Sequence, residues 1–224
     1  RKLLLITTLL AAAPLAAQAV PVTTGTSPFN VTIDIPTQTT GFPSDVKADV
    51  TFSNFAFAPA GGGTTVTFDM AIKNDTDASF ASARLTAVGY NVNPNADSAS
   101  ISAGTYDIFV DENFPSFNTV NVCLSSGNNC AGGANGGLSP GQSDTQTVTL
   151  NYSTALTGID LGSNGGTLEG FDFKFQTGVG SAEGQTTFGG GGGGGGGGGV
   201  PEPASLFLLG TGLVGLGLLR RRKA

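Results

Sequence analysis

The 224-residue sequence contains no histidine and no tryptophan, only two cysteines and a single methionine. Without histidine, a Ser–His–Asp triad, a Cys–His dyad and every histidine-ligated metal site are excluded. Basic residues are scarce too, with 10 Lys and Arg against 16 Asp and Glu and a formal net charge of −6. Because nucleic-acid binding depends on Lys and Arg neutralising phosphates, this balance argues against a nucleic-acid partner.

The few basic residues are distributed unevenly. Residues 20–199 hold only 4 of them against 15 acidic residues, a net charge of −11, and the other six flank apolar segments at the two ends. The mean hydropathy of +0.12 therefore averages two apolar ends and a polar, Gly-rich middle. Basic residues beside apolar segments are typical of topology signals, and they do not indicate a solvated basic patch.

The N-terminal segment has the pattern of an export signal. The chain opens with Arg-Lys, continues as a short apolar run and reaches the small residues Ala17 and Ala19. This order predicts a secretory signal peptide over residues 1–19, cleaved after Ala19, and export through the Sec translocon. A membrane-spanning anchor is the alternative, but the apolar run is short and Pro14 interrupts it.

Export would place the body in an oxidising compartment, where disulfides persist. Cys123 and Cys130 are separated by six residues, and we expect them to form a structural disulfide. The alternative is a redox or metal-binding pair. Two cysteines without another soft ligand make a poor zinc site, which favours the disulfide.

The C-terminus combines a short motif, an apolar segment and a basic end. The motif is Val200, Pro201, Glu202 and Pro203, and the basic cluster is Arg220, Arg221, Arg222 and Lys223. The 17 uncharged residues 203–219 are at the lower limit for a single transmembrane helix. The positive-inside rule then places the chain end in the cytoplasm and the body on the export side.

This arrangement resembles the PEP-CTERM sorting domain, over residues 200–224. The resemblance implies recognition by an exosortase, a membrane-embedded cysteine protease of Gram-negative bacteria that cleaves near the Pro-Glu-Pro motif. It further implies a final location at the cell surface or in the extracellular matrix, and an association with exopolysaccharide and biofilm. A plain C-terminal anchor is the alternative, but such an anchor has no need of Pro-Glu-Pro. Residues 123–140 with residues 170–177 also resemble the cistern subgroup of these proteins.

Between body and motif, residues 189–199 are an unbroken run of eleven glycines. No side chain there can pack, so the run predicts a flexible poly-Gly linker.

The body, residues 20–188, alternates apolar and polar residues with a period of two, and no sustained period of 3.6 occurs. The clearest predicted strands cover residues 29–35, 46–57, 66–73 and 171–176, and weaker ones cover residues 83–92, 105–110, 119–124 and 145–152. About eight strands without helices predict an all-β, antiparallel β-sandwich with jelly-roll or Ig-like connections. Phe accounts for 15 of the 18 aromatic residues, so we expect a core of Phe and Val, with Phe packing inside and not as a stacking surface.

Chemistry-bearing patterns in the body are weak. Asp75 and Asp77 alternate as calcium ligands do, but an EF-hand would need Gly where Phe80 stands. A looser Ca²⁺ site could add Asp97, Asp111 or Glu112, and the alternative is that these residues only solvate turns and an acidic surface. No pair of carboxylates, phosphate loop or Ser-Lys motif singles out a catalytic centre, so we expect no enzyme, no cofactor and no catalytic residue.

The sequence therefore predicts an exported surface or matrix protein, structural or exopolysaccharide-associated, whose partners are the Sec translocon and an exosortase. Two other classes stay open: a calcium- or glycan-binding adhesin module, and a secreted polysaccharide hydrolase.

Overall fold

The structure is a computed structural model, and it describes residues 19–131, 136–164, 167–168 and 170–186. Those residues form fifteen strands and one short helix. In chain order they are β1 (Val20–Thr23), β2 (Phe29–Ile35), α1 (Thr37–Thr40), β3 (Val46–Ala60), β4 (Gly63–Asn74), β5 (Arg84–Tyr90), β6 (Val92–Asn93), β7 (Ser98–Ile101), β8 (Asp107–Asn113), β9 (Thr119–Ser125), β10 (Ser143–Tyr152), β11 (Gly158–Leu161), β12 (Ser163–Asn164), β13 (Thr167–Leu168), β14 (Phe171–Thr177) and β15 (Gly180–Thr186).

Three sheets and a small ribbon are built from these strands. The first sheet has the order β2-β3-β4-β10-β7, and the second has the order β15-β14-β5-β9-β8. A third sheet, β1-β11-β6, and the ribbon β12-β13 complete the described fold. Every one of these pairings is antiparallel. The predicted all-β, antiparallel class is therefore confirmed, while the jelly-roll or Ig-like connection stays a prediction.

The first two sheets pack face to face through the residues that alternate inward. The Phe52 ring on β3 lies 5.7 Å from the Tyr90 ring on β5 and 5.5 Å from the Phe171 ring on β14. Strand β2 contacts β15 and strand β7 contacts β8, so both edges of the first sheet are in contact with the edges of the second. Period-two alternation puts one face of each strand into this shared core, which consists largely of Phe, Val, Ile and Leu as expected.

The outer face of the second sheet differs from the prediction. Alternation on β14 predicted that Asp172 and Lys174 would face water, yet they are only 3% and 6% exposed. A second small cluster covers this face, consisting of Ala87, Phe114, Val120, Cys123 and Cys130, with Phe109 and Phe117 packed against it. We call this the covered face. The prediction was wrong because alternation shows which residues point the same way, not what folds over them.

Several elements carried no readable pattern. The expectation of no helices was wrong: α1 is a single turn that ends at Gly41, whose φ of 69° is left-handed. Strand β15 lacks apolar alternation because Gly184 packs directly on Ile33 and Ile35, where a Cβ would lie 2.7 Å from the Ile35 side chain. The short strands β1, β7, β11, β12 and β13 were likewise not predicted.

Strand β1 sits at the start of the predicted mature chain. Val20 and Val22 are buried, and Val20 pairs with Leu161 of β11. Just beyond β11, the Gly170 N–H donates to the Gly162 carbonyl at 3.2 Å, and Gly170 packs on the carbonyl of Thr186. The beginning of β1 and the end of β15 therefore lie at the same end of the body.

No helix in the parts of the chain that the structure describes combines the length and apolar character that a membrane crossing requires. The predicted signal peptide up to residue 18, the linker over residues 189–199 and the tail helix over residues 203–219 lie outside the described residues.

Candidate functional site

A groove of about 400 Å³ opens at one end of the first sheet. Its walls come from three segments: the end of β1, the β3–β4 hairpin and the loop between β10 and β11. The lining residues are Thr23, Thr24, Phe57, Ala58, Pro59, Gly63, Thr64, Ala155, Leu156 and Thr157. We call this the Thr64 groove. Its volume lies in the range of small-molecule sites, which is about 300–1,000 Å³.

The Thr64 groove is uncharged and amphiphilic. None of its ten lining residues is acidic or basic, and four of them are threonines. Phe57 and Leu156 are half-buried and pack against the main core, so they form an apolar floor. Thr23, Thr24 and Thr157 are exposed at the rim, and the Thr23 hydroxyl lies 3.4 Å from the Thr26 hydroxyl.

Thr64 supplies the buried polar group of this groove. The residue is only 4% exposed, and its Oγ1 accepts a hydrogen bond from the Leu156 N–H at 2.7 Å. A threonine hydroxyl carries one donor as well as two acceptor sites. Within the described residues no acceptor for the Thr64 hydroxyl proton is present, so this donor is available to a molecule in the groove.

The groove walls are fixed by backbone geometry. After β1 the chain makes a tight turn in which the Thr26 N–H donates to the Thr23 carbonyl at 3.1 Å. Gly25 supplies the left-handed φ of 76° that this turn needs, and its N–H donates to the Phe55 carbonyl at 3.2 Å. Opposite, Gly63 allows the hairpin to pack on the Tyr152 backbone, since a Cβ there would collide with the Tyr152 carbonyl oxygen.

The sequence did not point to this groove. Its residues are threonines, small residues and two apolar side chains from three separate segments, and none of them is a type that marks a site by itself. A partial signal existed in the end of the β3 strand, where Phe57 continues the apolar alternation into the Pro-Ala-Gly-Gly-Gly hairpin.

The proposed calcium ligands have other partners. Asp75 forms an ion pair with Lys73 at 2.5 Å. Asp77 accepts a hydrogen bond from the Ser79 N–H at 2.8 Å, and the Ser79 side chain and backbone together lower the Asp77 pKa.

The looser calcium set is also spread over the body. Asp97 accepts from the Ser153 N–H at 2.5 Å, and Asp111 accepts from the Asn121 side chain at 3.0 Å. Glu112 lies on β8. Among the described residues, no three His, Cys, Asp or Glu side chains converge as metal ligands would. The structure therefore does not bring Asp75, Asp77, Asp97, Asp111 and Glu112 together.

One polar cluster was missed because the alternation on β14 placed Lys174 on a wet face. Lys174 Nζ lies 2.7 Å from Glu183 Oε1, with side chains only 7% and 15% exposed. The Ser116 hydroxyl donates to Glu183 Oε2 at 2.7 Å. Burial raises the Glu183 pKa, but the hydrogen bonds from Lys174 and Ser116 outweigh burial, and the net pKa is lowered. These three side chains join the turn after β8 to strands β14 and β15, and we call them the clip.

The predicted disulfide is confirmed: Cys123 and Cys130 are bonded, with their Cα atoms 6.0 Å apart. Both residues are fully buried in the cluster on the covered face. The disulfide closes a loop over the six residues between Cys123 and Cys130, at the end of β9.

Comparison with known protein families gives one finding. The model described as the PEP-CTERM protein-sorting motif matches residues 199–223. The match includes the predicted motif (Val200, Pro201, Glu202, Pro203) and the basic cluster (Arg220, Arg221, Arg222, Lys223), all outside the described residues. Neither the curated proteins nor the solved structures contain a match to this chain, and no finding supports the cistern subgroup.

The matched motif has a direct consequence for the class of protein. It implies an exported protein that is sorted by an exosortase and associated with the cell surface.

Proposed function

We propose that this protein is a non-catalytic structural component of the cell surface or extracellular matrix, delivered there by an exosortase. The observation that carries the proposal is the sorting motif at residues 199–223. A chain that ends in such a motif is a substrate of the sorting machinery, and its exported body is what remains to act outside the cell.

The order of segments supports this role. Strand β15 ends at Thr186, and eleven glycines separate the body from the motif. A glycine-rich coil of that length spans about 18 Å root-mean-square. The body can therefore fold on the export side while the motif is still at the membrane and accessible to a protease.

The chemistry of the body supports a structural role. The disulfide suits an oxidising compartment. Three of the four basic residues of the body, Lys47, Lys73 and Lys174, are held in ion pairs with Asp34, Asp75 and Glu183. These cations support the fold locally and leave few candidates for a Ser-Lys type of catalysis.

The sorting step is tested by changing the motif in the native host. We expect a chain with Pro201, Glu202 and Pro203 replaced by alanine to accumulate in the membrane fraction and to lose most of its extracellular signal. A matched control replaces three linker glycines, Gly190, Gly191 and Gly192, by serine and should be sorted as the wild type is. Normal sorting of the alanine variant would overturn the proposal.

The absence of catalysis is tested on the exported protein itself. We expect no turnover of acidic or neutral polysaccharides beyond that of a buffer blank, measured as reducing ends. Turnover that disappears when a carboxylate such as Glu112 is changed to Gln would identify a hydrolase and contradict the structural role.

A further inference from the structure

We propose that the Thr64 groove is a carbohydrate-binding site that takes a neutral pyranose unit of an uncharged glycan. The inference deepens the proposed function and rests on it in one respect, since such a polymer is met outside the cell. All the residues that line the groove belong to the described body.

The charge of the groove selects an uncharged ligand. All ten lining residues are neutral, although residues 20–199 carry 15 acidic side chains. The basic residues of the body lie elsewhere: Lys47, Lys73 and Lys174 are in ion pairs, and Arg84 donates to the Gly137 carbonyl. An anionic sugar or a phosphate would find no cation in the groove. Binding a charge without a compensating opposite charge is unfavourable.

The distribution of apolar and polar groups over the groove favours a polyol as its ligand. A pyranose ring presents C–H faces and a periphery of hydroxyls. Phe57 and Leu156 offer the apolar floor for the ring face, and the exposed threonines Thr23, Thr24 and Thr157 line the rim. A wholly apolar ligand would leave the Thr64 donor without an acceptor, which disfavours it.

The buried Thr64 hydroxyl fixes the orientation of the ligand. Its oxygen is held by the Leu156 N–H at 2.7 Å, so its proton points away from that bond. A ligand oxygen that accepts from this donor therefore has to occupy one defined position in the groove. Thr64 is therefore the residue on which specificity for a sugar oxygen depends.

The groove is also organised before a ligand arrives. The Gly25 turn is tied to the Phe55 carbonyl, and the Leu156 loop is tied to Thr64. Preformed walls reduce the ordering cost of binding, which matters for a ligand with few contacts.

Saturation-transfer NMR on the exported protein tests the proposal. The probes are neutral disaccharides (cellobiose, maltose and laminaribiose), each compared with glucuronic acid at the same concentration. We expect transfer to at least one neutral disaccharide and none to glucuronic acid. Absence of transfer to all three neutral disaccharides, or equal transfer to glucuronic acid, would overturn the proposal.

Single substitutions test whether the disaccharide binds in the Thr64 groove. We expect Thr64→Val to weaken binding by about 3- to 10-fold, from the loss of one hydrogen bond. Thr64→Ser, which keeps the hydroxyl, should bind within about 2-fold of the wild type by the same reasoning. Phe57→Ala should also weaken binding, while Thr51→Val, on the exposed face of β3, should not. Unchanged binding in both Thr64→Val and Phe57→Ala would overturn the site.

The same protein sample separates this inference from the proposed function. Its intact mass reports whether the tail was cleaved. A cleaved tail without glycan binding would remove only the groove proposal, and glycan binding by an uncleaved chain would remove only the sorting proposal.

Discussion

At the scale of single residues, two tyrosines bury their hydroxyl groups in the core, and only one of the two hydroxyls has a hydrogen-bond partner among the described residues. The Tyr106 hydroxyl donates to the Leu85 carbonyl at 2.8 Å. The Tyr152 hydroxyl is buried and has no hydrogen-bond partner among the described residues. Burial raises the pKa of both groups, so both stay neutral. A buried polar group without a partner loses its hydration and gains nothing in exchange.

This contrast gives a paired prediction. Because Tyr152→Phe removes an unpaired buried hydroxyl, we expect it to be neutral or to stabilise the fold by up to about 1 kcal/mol. Tyr106→Phe removes a satisfied hydrogen bond and should destabilise by about 1 kcal/mol. Urea denaturation of the two variants and the wild type measures both free energies. Clear destabilisation by Tyr152→Phe would show that its hydroxyl has a partner.

At the scale of elements, the turn between β8 and β9 folds over the second sheet. Phe114 packs against Gly89 on β5, where a Cβ would lie 2.6 Å from the Phe114 ring. Farther along the turn, Ser116 reaches Glu183 on β15, which is paired with Lys174 on β14. The cluster therefore fastens a turn from one edge of the sheet to the hairpin at the other edge.

The lowered Glu183 pKa makes this clip sensitive to pH. A carboxyl whose folded pKa lies below its ordinary value of 4.5 stabilises the fold above that value, and the contribution is lost as the pH falls through the folded pKa. We expect Glu183→Gln to destabilise by about 1–3 kcal/mol at pH 7 and by less at pH 3. Urea denaturation at the two pH values measures this, with Glu112→Gln as control. An equal loss at both would contradict an ionised Glu183.

Sequence patterns predicted some strands and contacts of this fold and missed others. Strands β2, β3, β4 and β14 were predicted because their apolar residues alternate towards one core, and the Cys123–Cys130 disulfide followed from spacing and compartment. Strand β15 was missed because Gly184, which packs on Ile33 and Ile35 of β2, interrupts its apolar pattern. The Thr64 groove was missed because it depends on the approach of three distant segments, and the clip was missed because alternation does not show the turn that buries Lys174.

At the scale of the whole molecule, the two ends of the described body lie together. Val20 opens β1 beside Leu161, and Thr186 closes β15 beside Gly170. Val20 and Thr186, the first and last strand residues of the described body, therefore lie at one end of the fold. The β14–β15 turn lies at the other end of these two strands, where Gly178 packs beside Ser82 of the Asn74–Ala83 connection.

The central claim is that the tail is a sorting signal that is removed. The measurement that tests it most directly is the intact mass of the extracellular protein isolated from its native host. We expect a chain that begins at Val20 and ends near residues 200–203, with or without one fixed adduct. A chain that still ends at Ala224 and is found only in membranes would be a plain anchored protein, and it would contradict the account.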